Sequence, residues 1–147
     1  MQSHEEQNIE LKLNAVTEVQ FMMKPDKLDD SDLSDKLRVG FSNRIVPFTE
    51  DDQISIEFGV GYLLKDEIIL ESRYRFSFSV KNLSSYVTKN QDGSITITQI
   101  MPHLLSVASG TMRGIIVVKA AGTNFAKYPL PIIDIEELCR NLSSEAH

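Results

Sequence analysis

Residue types that carry catalysis or bind metal ions are few in this sequence and lie far apart. Its three histidines are His4, His103 and His147, and none is paired with another histidine, a cysteine or a carboxylate at metal-ligand spacing. His103 is a candidate general base, but no nucleophile or orienting acid accompanies it, which favours a surface or interface histidine. We therefore predict no metal site and no catalytic residue, and we expect that the protein is not an enzyme.

Motifs for cofactor chemistry are missing as well. Gly59-Val60-Gly61 lies within a predicted strand and lacks the third glycine and the helix start that a dinucleotide-binding turn requires. No serine occupies a nucleophile elbow. Cys139 is the only cysteine, and it is either a reactive thiol or, as free cysteines more often are, a buried apolar residue. We predict no cofactor.

The bulk properties indicate one globular domain, residues 1–147, with flexible termini at 1–8 and 141–147. A chain of 147 residues with 41% hydrophobic and 24% charged residues can bury a core of its own. The net charge of −6 argues against nucleic acid as a partner, since phosphate binding requires a basic face. The N-terminus is polar, and the longest apolar run, Ile115–Val118, is too short to cross a bilayer. We therefore expect a cytoplasmic protein that does not insert into membranes.

The first part of the chain predicts one long strand followed by a long connection. From residue 9 to 23 the apolar side chains fall on odd positions, and Val16 and Met22 are the apolar exceptions on the wet face. Residues 24–52 show no sustained period, and they contain two prolines and an acidic stretch. We predict a connection there, with a short strand near 36–41, and connections of this length are often functional.

The next two alternating runs predict an antiparallel hairpin. In residues 54–64 and again in 68–80 the apolar side chains fall on even positions, and the polar turn Lys65-Asp66-Glu67 separates the two runs. On the second of these strands, parity places Ile69 and Glu71 on the wet face, opposite the buried side chains. Residues 82–93 are predicted to be a loop.

From about Thr98 the apolar period becomes helical, and Gly122 is the expected end of that helix. Ser94–Ile97 is alternatively a short fourth strand. Asp134, with Glu137 three residues later, predicts the start of a last short helix. The predicted buried stripe of the long helix contains Met101, Leu104, Leu105, Ala108, Met112, Ile115, Ile116 and Lys119.

This order of elements predicts an α+β fold, in which an antiparallel β-sheet carries a long and a short C-terminal helix packed on one face. Such an arrangement leaves the other face of the sheet open to water or to a partner.

Three stretches, in residues 18–21, 69–80 and 102–135, together resemble the SecB family of export chaperones, in its divergent SecB-like branch. Glu18-Val19-Gln20-Phe21 is similar to a pattern late in the first strand of that family. Ile69-Leu70-Glu71, followed after six residues by Phe78-Ser79-Val80, has the spacing of its third strand. Pro102 opening a long helix, Arg113-Gly114 further along it, and the segment 130–135 resemble its C-terminal third.

The resemblance implies an ATP-independent holdase that binds unfolded preproteins and passes them to the translocase motor SecA. It also implies a homotetramer built as a dimer of dimers, for which a dimer is the alternative. Glu18, Ile69 and Glu71 match the motor-docking residues of the family, and parity places all three on the wet face. Two departures weaken docking: Met22 replaces an expected acidic residue, and the acidic tail is reduced to residues 141–147. Some SecB-like proteins serve one dedicated client, such as an antitoxin, and this alternative stays open.

Two sets of residues are candidates for client binding and self-association. Met22, Phe41 and Phe48 are candidate client-binding residues, because methionine and aromatic side chains adapt to varied apolar partners. Ser106, Gly110 and Gly114 form a small-residue strip on the long helix, which suits either an oligomer interface or close packing on the sheet. A small apolar-ligand binder and a structural oligomerisation module are the remaining alternatives.

Overall fold

The computed structural model describes residues 9–29, 31–46, 52–97 and 99–144. Six strands and two α-helices lie in this part of the chain, joined by short 3-10 turns. The strands are β1 Leu11–Met23, β2 Leu37–Val46, β3 Gln53–Leu64, β4 Glu67–Val80, β5 Val87–Lys89 and β6 Ile95–Ile97; the helices are α1 Met101–Ala120 and α2 Ile135–Ser144.

Four strands form one antiparallel sheet in the order β1-β4-β3-β2, and β5 pairs with β6 in a separate ribbon. The sheet buries one face against α1, and the predicted α+β fold with two C-terminal helices is confirmed. We call the two sides of the sheet the covered face, on which α1 packs, and the open face. Even-numbered residues of β3 and most even-numbered residues of β4 lie on the covered face.

The core fills the space between the covered face and α1. Phe58, Phe76 and Phe78 are fully buried, and Ser72 in their midst donates a hydrogen bond from Oγ to Sδ of Met112 on α1, at 3.0 Å. The buried residues of α1 are Leu104, Leu105, Ala108, Ser109, Met112, Ile116 and Ala120. Burial on this scale is the main source of stability in a domain of this size.

The predicted faces of β1 are wrong only in its middle, at residues 15–18, because two β-bulges interrupt its pairing with β4 and the second bulge restores the predicted faces. The register shifts between Leu13 and Ala15 and again between Glu18 and Gln20. Each extra residue in a strand reverses the faces of the residues that follow it. Val16 and Glu18 were expected on the wet face, but between the two bulges they lie opposite Phe76 and Tyr74, on the covered face.

A third irregularity overturns the prediction for Ile69. The register shifts where Tyr62 pairs with Leu70 and Leu63 pairs with Ile68, so Ile69 is the extra residue between two consecutive pairs. Ile69 is 1% exposed, whereas Ile68, which parity placed in the core, is 44% exposed. The two neighbouring isoleucines have therefore exchanged the faces that simple alternation assigns to them.

The expected long connection contains a complete strand. β2 covers ten residues rather than a short stretch near 36–41, and it pairs with β3 along its whole length. Asn43 interrupts the apolar alternation on the covered face of β2, which is why the predicted strand stopped near residue 41. The loop predicted over 82–93 likewise contains β5, whose partner is the short strand anticipated at Ser94–Ile97.

Both helices begin and end close to the predicted residues. α1 starts at Met101 and is followed by Gly122, whose φ of +81° is one that glycine adopts readily. The Oδ1 atom of Asp134 accepts hydrogen bonds from the backbone N–H groups of Glu136 and Glu137, which confirms the predicted cap of α2. Residues 141–144 form the last turn of this helix.

Candidate functional site

Groups suited to catalysis are not assembled in the part of the chain that the structure describes. His103 is exposed at the first turn of α1. Cys139 is half-buried on α2, and burial raises the pKa of its thiol, which disfavours the reactive thiolate. Among the described residues, no group of three or more histidine, cysteine or acidic side chains is placed to hold a metal ion. The surfaces and depressions of the described residues are further candidate sites.

The first candidate surface is the outer side of α1, turned away from the sheet. The predicted interface residues Ser106, Gly110 and Gly114 are all exposed there, and Val117 continues the same stripe one turn later. A Cβ atom added to either glycine would meet nothing within 4 Å. Packing on the sheet of the same chain therefore does not explain these glycines. We call Ser106, Gly110, Gly114 and Val117 the outer strip.

Large apolar side chains are exposed on or near this side of the molecule. Val117 is 54% exposed, Val118 is 75% exposed, and Ile132 in the connection before α2 is 91% exposed. On β1, Val16 and Val19 are also exposed, although less than Val117. Large apolar side chains that are exposed in this way are candidates for contact with a partner.

By length and composition, α1 is also apolar enough to cross a membrane, with a mean hydropathy of 1.2. A core helix that covers a sheet meets the same criterion, and one side of α1 packs on the covered face. The expectation that the protein does not insert into membranes stays a prediction.

Glu18 anchors the end of α1 to the edge strand. Its Oε1 atom accepts hydrogen bonds from the Tyr74 hydroxyl at 2.7 Å and from Nζ of Lys119 at 3.0 Å. The Lys119 ammonium also lies 4.7 Å from the centre of the Phe21 ring, within cation–π range. The tyrosine hydrogen bond, followed by that of the lysine, lowers the pKa of the Glu18 carboxyl. Lys119, which was predicted in the buried stripe of the helix, is exposed and makes this link instead.

The open face carries the second candidate surface, a row of charge that crosses three strands. Glu57 on β3 lies between Arg44 on β2 and Arg75 on β4, with oxygen–nitrogen distances of 3.0 and 2.7 Å. The hydrogen bond from Arg75, followed by the contacts with Arg44, lowers the pKa of the Glu57 carboxyl. Arg73 is the next open-face residue along β4 from Arg75, and its side chain donates a hydrogen bond to Oε1 of Gln20.

A shallow depression of about 200 Å³ lies beside this row on the open face. Gly40, Gly59 and Gly61 belong to its lining, together with the apolar side chains of Leu63 and Ile68. At Gly59 a Cβ atom would lie 2.6 Å from Oγ of Ser42, so that hydroxyl would have to move to make room for a side chain. At Gly61 the nearest atom would be 3.9 Å away, and at Gly40 there is nothing within 4 Å.

The predicted client-binding residues do not form one surface. Met22 pairs with Glu71 on the open face, in agreement with its expected face. Phe41 was expected outside regular structure, but it lies in β2 on the covered side, and its ring stacks on Phe58 with 6.1 Å between ring centres. Phe48 lies outside the described residues.

The predicted motor-docking residues are also separated. Glu18 lies on the covered face and is bound to α1, Ile69 is buried, and only Glu71 lies on the open face as expected. The arginines, rather than these three residues, dominate the open face. The odd positions of Arg73 and Arg75 on β4 were visible in the sequence, but the contribution of Arg44 required the register of β2.

A third feature is a pocket of about 340 Å³ between β2, α1 and α2. Its lining is mainly apolar and includes Ile45, Met101, Leu105 and Leu142. The Nδ2 atom of Asn43 donates to Sδ of Met101 at 3.8 Å, while its Oδ1 atom is buried and has no hydrogen-bond partner among the described residues.

Comparisons with known proteins do not assign the chain to a family. No protein-family model matches it, and no curated protein matches it. The resemblance to SecB-like chaperones, the cytoplasmic location and the lack of a catalytic centre therefore stay predictions.

Proposed function

We propose that the protein is an oligomeric, ATP-independent holdase that binds unfolded polypeptides. The observation that carries this proposal is the exposed apolar surface around α1, at Val117, Val118 and Ile132, with Val16 on β1. Apolar burial is non-directional and tolerates varied sequences, which is what binding to unfolded chains requires. The sequence resemblance described above supports the same function.

The outer strip supports self-association. Glycine in the middle of a helix costs about 1 kcal/mol relative to alanine. Since no described residue lies within 4 Å of a Cβ atom placed at Gly110 or Gly114, the close approach of a second copy is the best explanation for keeping them. We propose a tetramer, with a dimer as the alternative.

The downstream partner is a separate part of the proposal. Handover to SecA rests on the resemblance alone, because Glu18 and Glu71 lie on opposite faces of the sheet. A chaperone for one dedicated client fits the exposed apolar surface equally well.

The decisive experiment combines light scattering with an aggregation assay. The purified protein at tens of micromolar should have the mass of a tetramer or dimer. It should suppress aggregation of a reduced, unfolded client at a near-stoichiometric ratio, equally with and without ATP. A strictly monomeric mass would contradict self-association, and a requirement for ATP or a lack of suppression would contradict the holdase.

Two double variants separate self-association from client binding. Gly110→Leu with Gly114→Leu should lower the oligomer mass and leave the subunit folded, because each added side chain points into open space. Val118→Asp with Ile132→Asp should weaken client protection, since both residues are exposed and apolar. Thr88→Leu with Thr96→Leu adds similar apolar surface on the β5–β6 ribbon, and it should leave the oligomer mass unchanged.

A small apolar ligand is the second candidate, and the unpaired Oδ1 of Asn43 favours it. The pocket beside it has the size and apolar lining of a small-molecule site, and a ligand hydroxyl or N–H would satisfy that oxygen. Such a ligand should saturate at one molecule per chain and should lose affinity in Asn43→Leu. Binding of several probe molecules per chain, unchanged by that substitution, would favour the holdase instead.

A further inference from the structure

We propose that the open face of the sheet docks an extended acidic polypeptide segment that carries an apolar side chain. Five cations project from the strands on this face, Lys12, Arg38, Arg44, Arg73 and Arg75, against the two carboxylates of Glu57 and Glu71. The open face therefore carries +3. Since the whole chain carries −6, the rest of it carries −9. Such an asymmetry attracts an acidic partner to one face and repels it from the others.

Most of this positive charge is free to bind. Arg44 and Arg75 share the single carboxylate of Glu57. Arg38 and Arg73 form no salt bridge with any described residue, and the contact of Arg73 with Gln20 is to a neutral amide oxygen. Guanidinium groups that lack a carboxylate partner of their own favour carboxylates, which they bind in a bidentate geometry.

The depression next to Arg73 is suited to one apolar side chain. Glycine weakens the interior of a strand, and neither Gly40 nor Gly61 is needed to avoid a clash. Without their side chains, the exposed Ile68 and its partner Leu63 border an open space of about 200 Å³. A leucine or aromatic residue of a docked segment would cover these apolar walls. Alternate side chains of an extended peptide point to one side, so acidic residues two positions away would face the arginines.

Nucleic acid fits this surface less well. Glu57 lies within the arginine row and Glu71 lines the depression, so phosphates that follow the row would meet carboxylates at both places. The apolar walls offer nothing to a phosphodiester backbone. A polyanion longer than the sheet would also meet the negative remainder of the molecule.

The test uses a labelled twelve-residue peptide of aspartate and glutamate with one central leucine. Fluorescence anisotropy at low salt should show saturable binding that weakens as salt rises, because exposed charges are screened. A matched peptide with serine in place of the leucine should bind at least about tenfold more weakly. Burying one such apolar side chain raises the affinity by about tenfold to a hundredfold. A lysine version should not bind.

Variants of the protein test the two parts of the surface separately. Arg38→Glu with Arg73→Glu should weaken binding by about tenfold or more, as two attractive contacts become repulsive. Gly40→Ile should fill the depression and remove the preference for leucine over serine, and its Cβ enters open space in a strand that tolerates isoleucine. If Gly40→Ile does not fold, Ile68→Ser removes one wall of the depression at an exposed position and should have the same effect.

A matched charge control is Lys89→Glu with Arg140→Glu, two exposed cations on the β5–β6 ribbon and α2. At about 0.15 M salt this control should retain peptide affinity to within about twofold, because exposed charges further away than about 8 Å are then largely screened. Equal loss in the control, tighter binding of a single-stranded oligonucleotide than of the peptide, or a lower oligomer mass in Arg38→Glu with Arg73→Glu would each overturn the proposal. The first would show nonspecific attraction, the second a nucleic-acid surface and the third a contact between copies.

Discussion

The two faces of the central sheet differ in the side chains that they carry and in the roles that those side chains can have. The covered face is filled by aromatic and aliphatic side chains that contact α1. The open face carries arginines, two glutamates and a cluster of three glycines. The covered face therefore supplies the free energy of folding, while the open face offers charge and unfilled space. The two faces of the same strands therefore need not contribute equally to the stability of the fold.

The largest effect should come from truncating a side chain on the covered face. Phe76→Ala should lower the free energy of unfolding by about 3 to 5 kcal/mol, because it leaves a cavity in a fully buried site. Ser77→Ala, one residue later and on the open face, should lower it by only about 0.5 to 1.5 kcal/mol, because it removes one hydrogen bond, between the Oγ atoms of Ser77 and Ser55 at 2.9 Å. Urea denaturation of both variants measures the free energy of unfolding. Similar losses in the two variants would contradict the proposed difference between the two faces.

A smaller effect on the covered side should appear in alkali. Burial raises the pKa of Tyr62 to about 12, while its hydroxyl donates to the Tyr128 carbonyl at 2.7 Å. A folded-state pKa above the unfolded value of 10 gives stability that is present below pH 10 and is lost as pH rises toward 12. The loss should reach about 2 to 3 kcal/mol.

Tyr62→Phe is the matched variant for this effect. It should cost about 1 kcal/mol at neutral pH, because a carbonyl loses its donor. Its stability should then fall less steeply than that of the parent between pH 10 and 12 in parallel denaturation curves. Parallel slopes for the two proteins would show that Tyr62 does not titrate with a raised pKa.

The open face should respond at the opposite end of the pH scale. The pKa of Glu57 is lowered, so its contribution is present above the unfolded value of 4.5 and is lost as pH falls through the folded value. Glu57→Gln should be less stable than the parent by about 1 to 3 kcal/mol at pH 7, because it leaves two guanidinium groups without a carboxylate. The difference between the two proteins should shrink at pH 3. A constant difference across this range would contradict the role of the charge.

The smallest expected effect is a gain in stability on the outer strip. Gly110→Ala should stabilise the isolated subunit by up to about 1 kcal/mol, since alanine favours the helix and its Cβ meets nothing. If a second copy contacts this strip, the gain should be smaller at tens of micromolar than at submicromolar protein. Thermal unfolding at the two concentrations distinguishes these cases, and an equal gain at both would argue against contact at Gly110.

Sequence periodicity predicts the faces of strands only where pairing is regular. Along β4 the predicted core residues Leu70, Tyr74, Phe76, Phe78 and Val80 are buried, because the strand alternates without interruption from Leu70 onward. A bulge adds one residue without changing the composition of a strand, so sequence alone does not reveal it. This is why Glu18 and Ile69 were assigned to the wrong faces.

The candidate surfaces follow the same rule. The outer strip on α1 was predictable, because helical spacing alone places Ser106, Gly110 and Gly114 on one side. The open-face charge row was not predictable, since it needs the register that brings Arg44 and Arg75 to either side of Glu57. That register depends on contacts between strands that are distant in sequence.

The strand order β1-β4-β3-β2 has a consequence for how the chain folds during synthesis. The three strands β2, β3 and β4 follow one another in sequence, and each pairs with the next. Among the described strands, β1 pairs only with β4, and Leu11 pairs with Val80, which is 69 residues later in the chain. We expect β1, which is synthesised before the other three strands of this sheet, to be the last to join it, because closing the larger loop costs more entropy. Pulsed hydrogen exchange during refolding should then protect the amides of β3 before those of β1. Until β1 docks, β4 is itself an edge, and the growing chain offers its neighbours an unpaired strand.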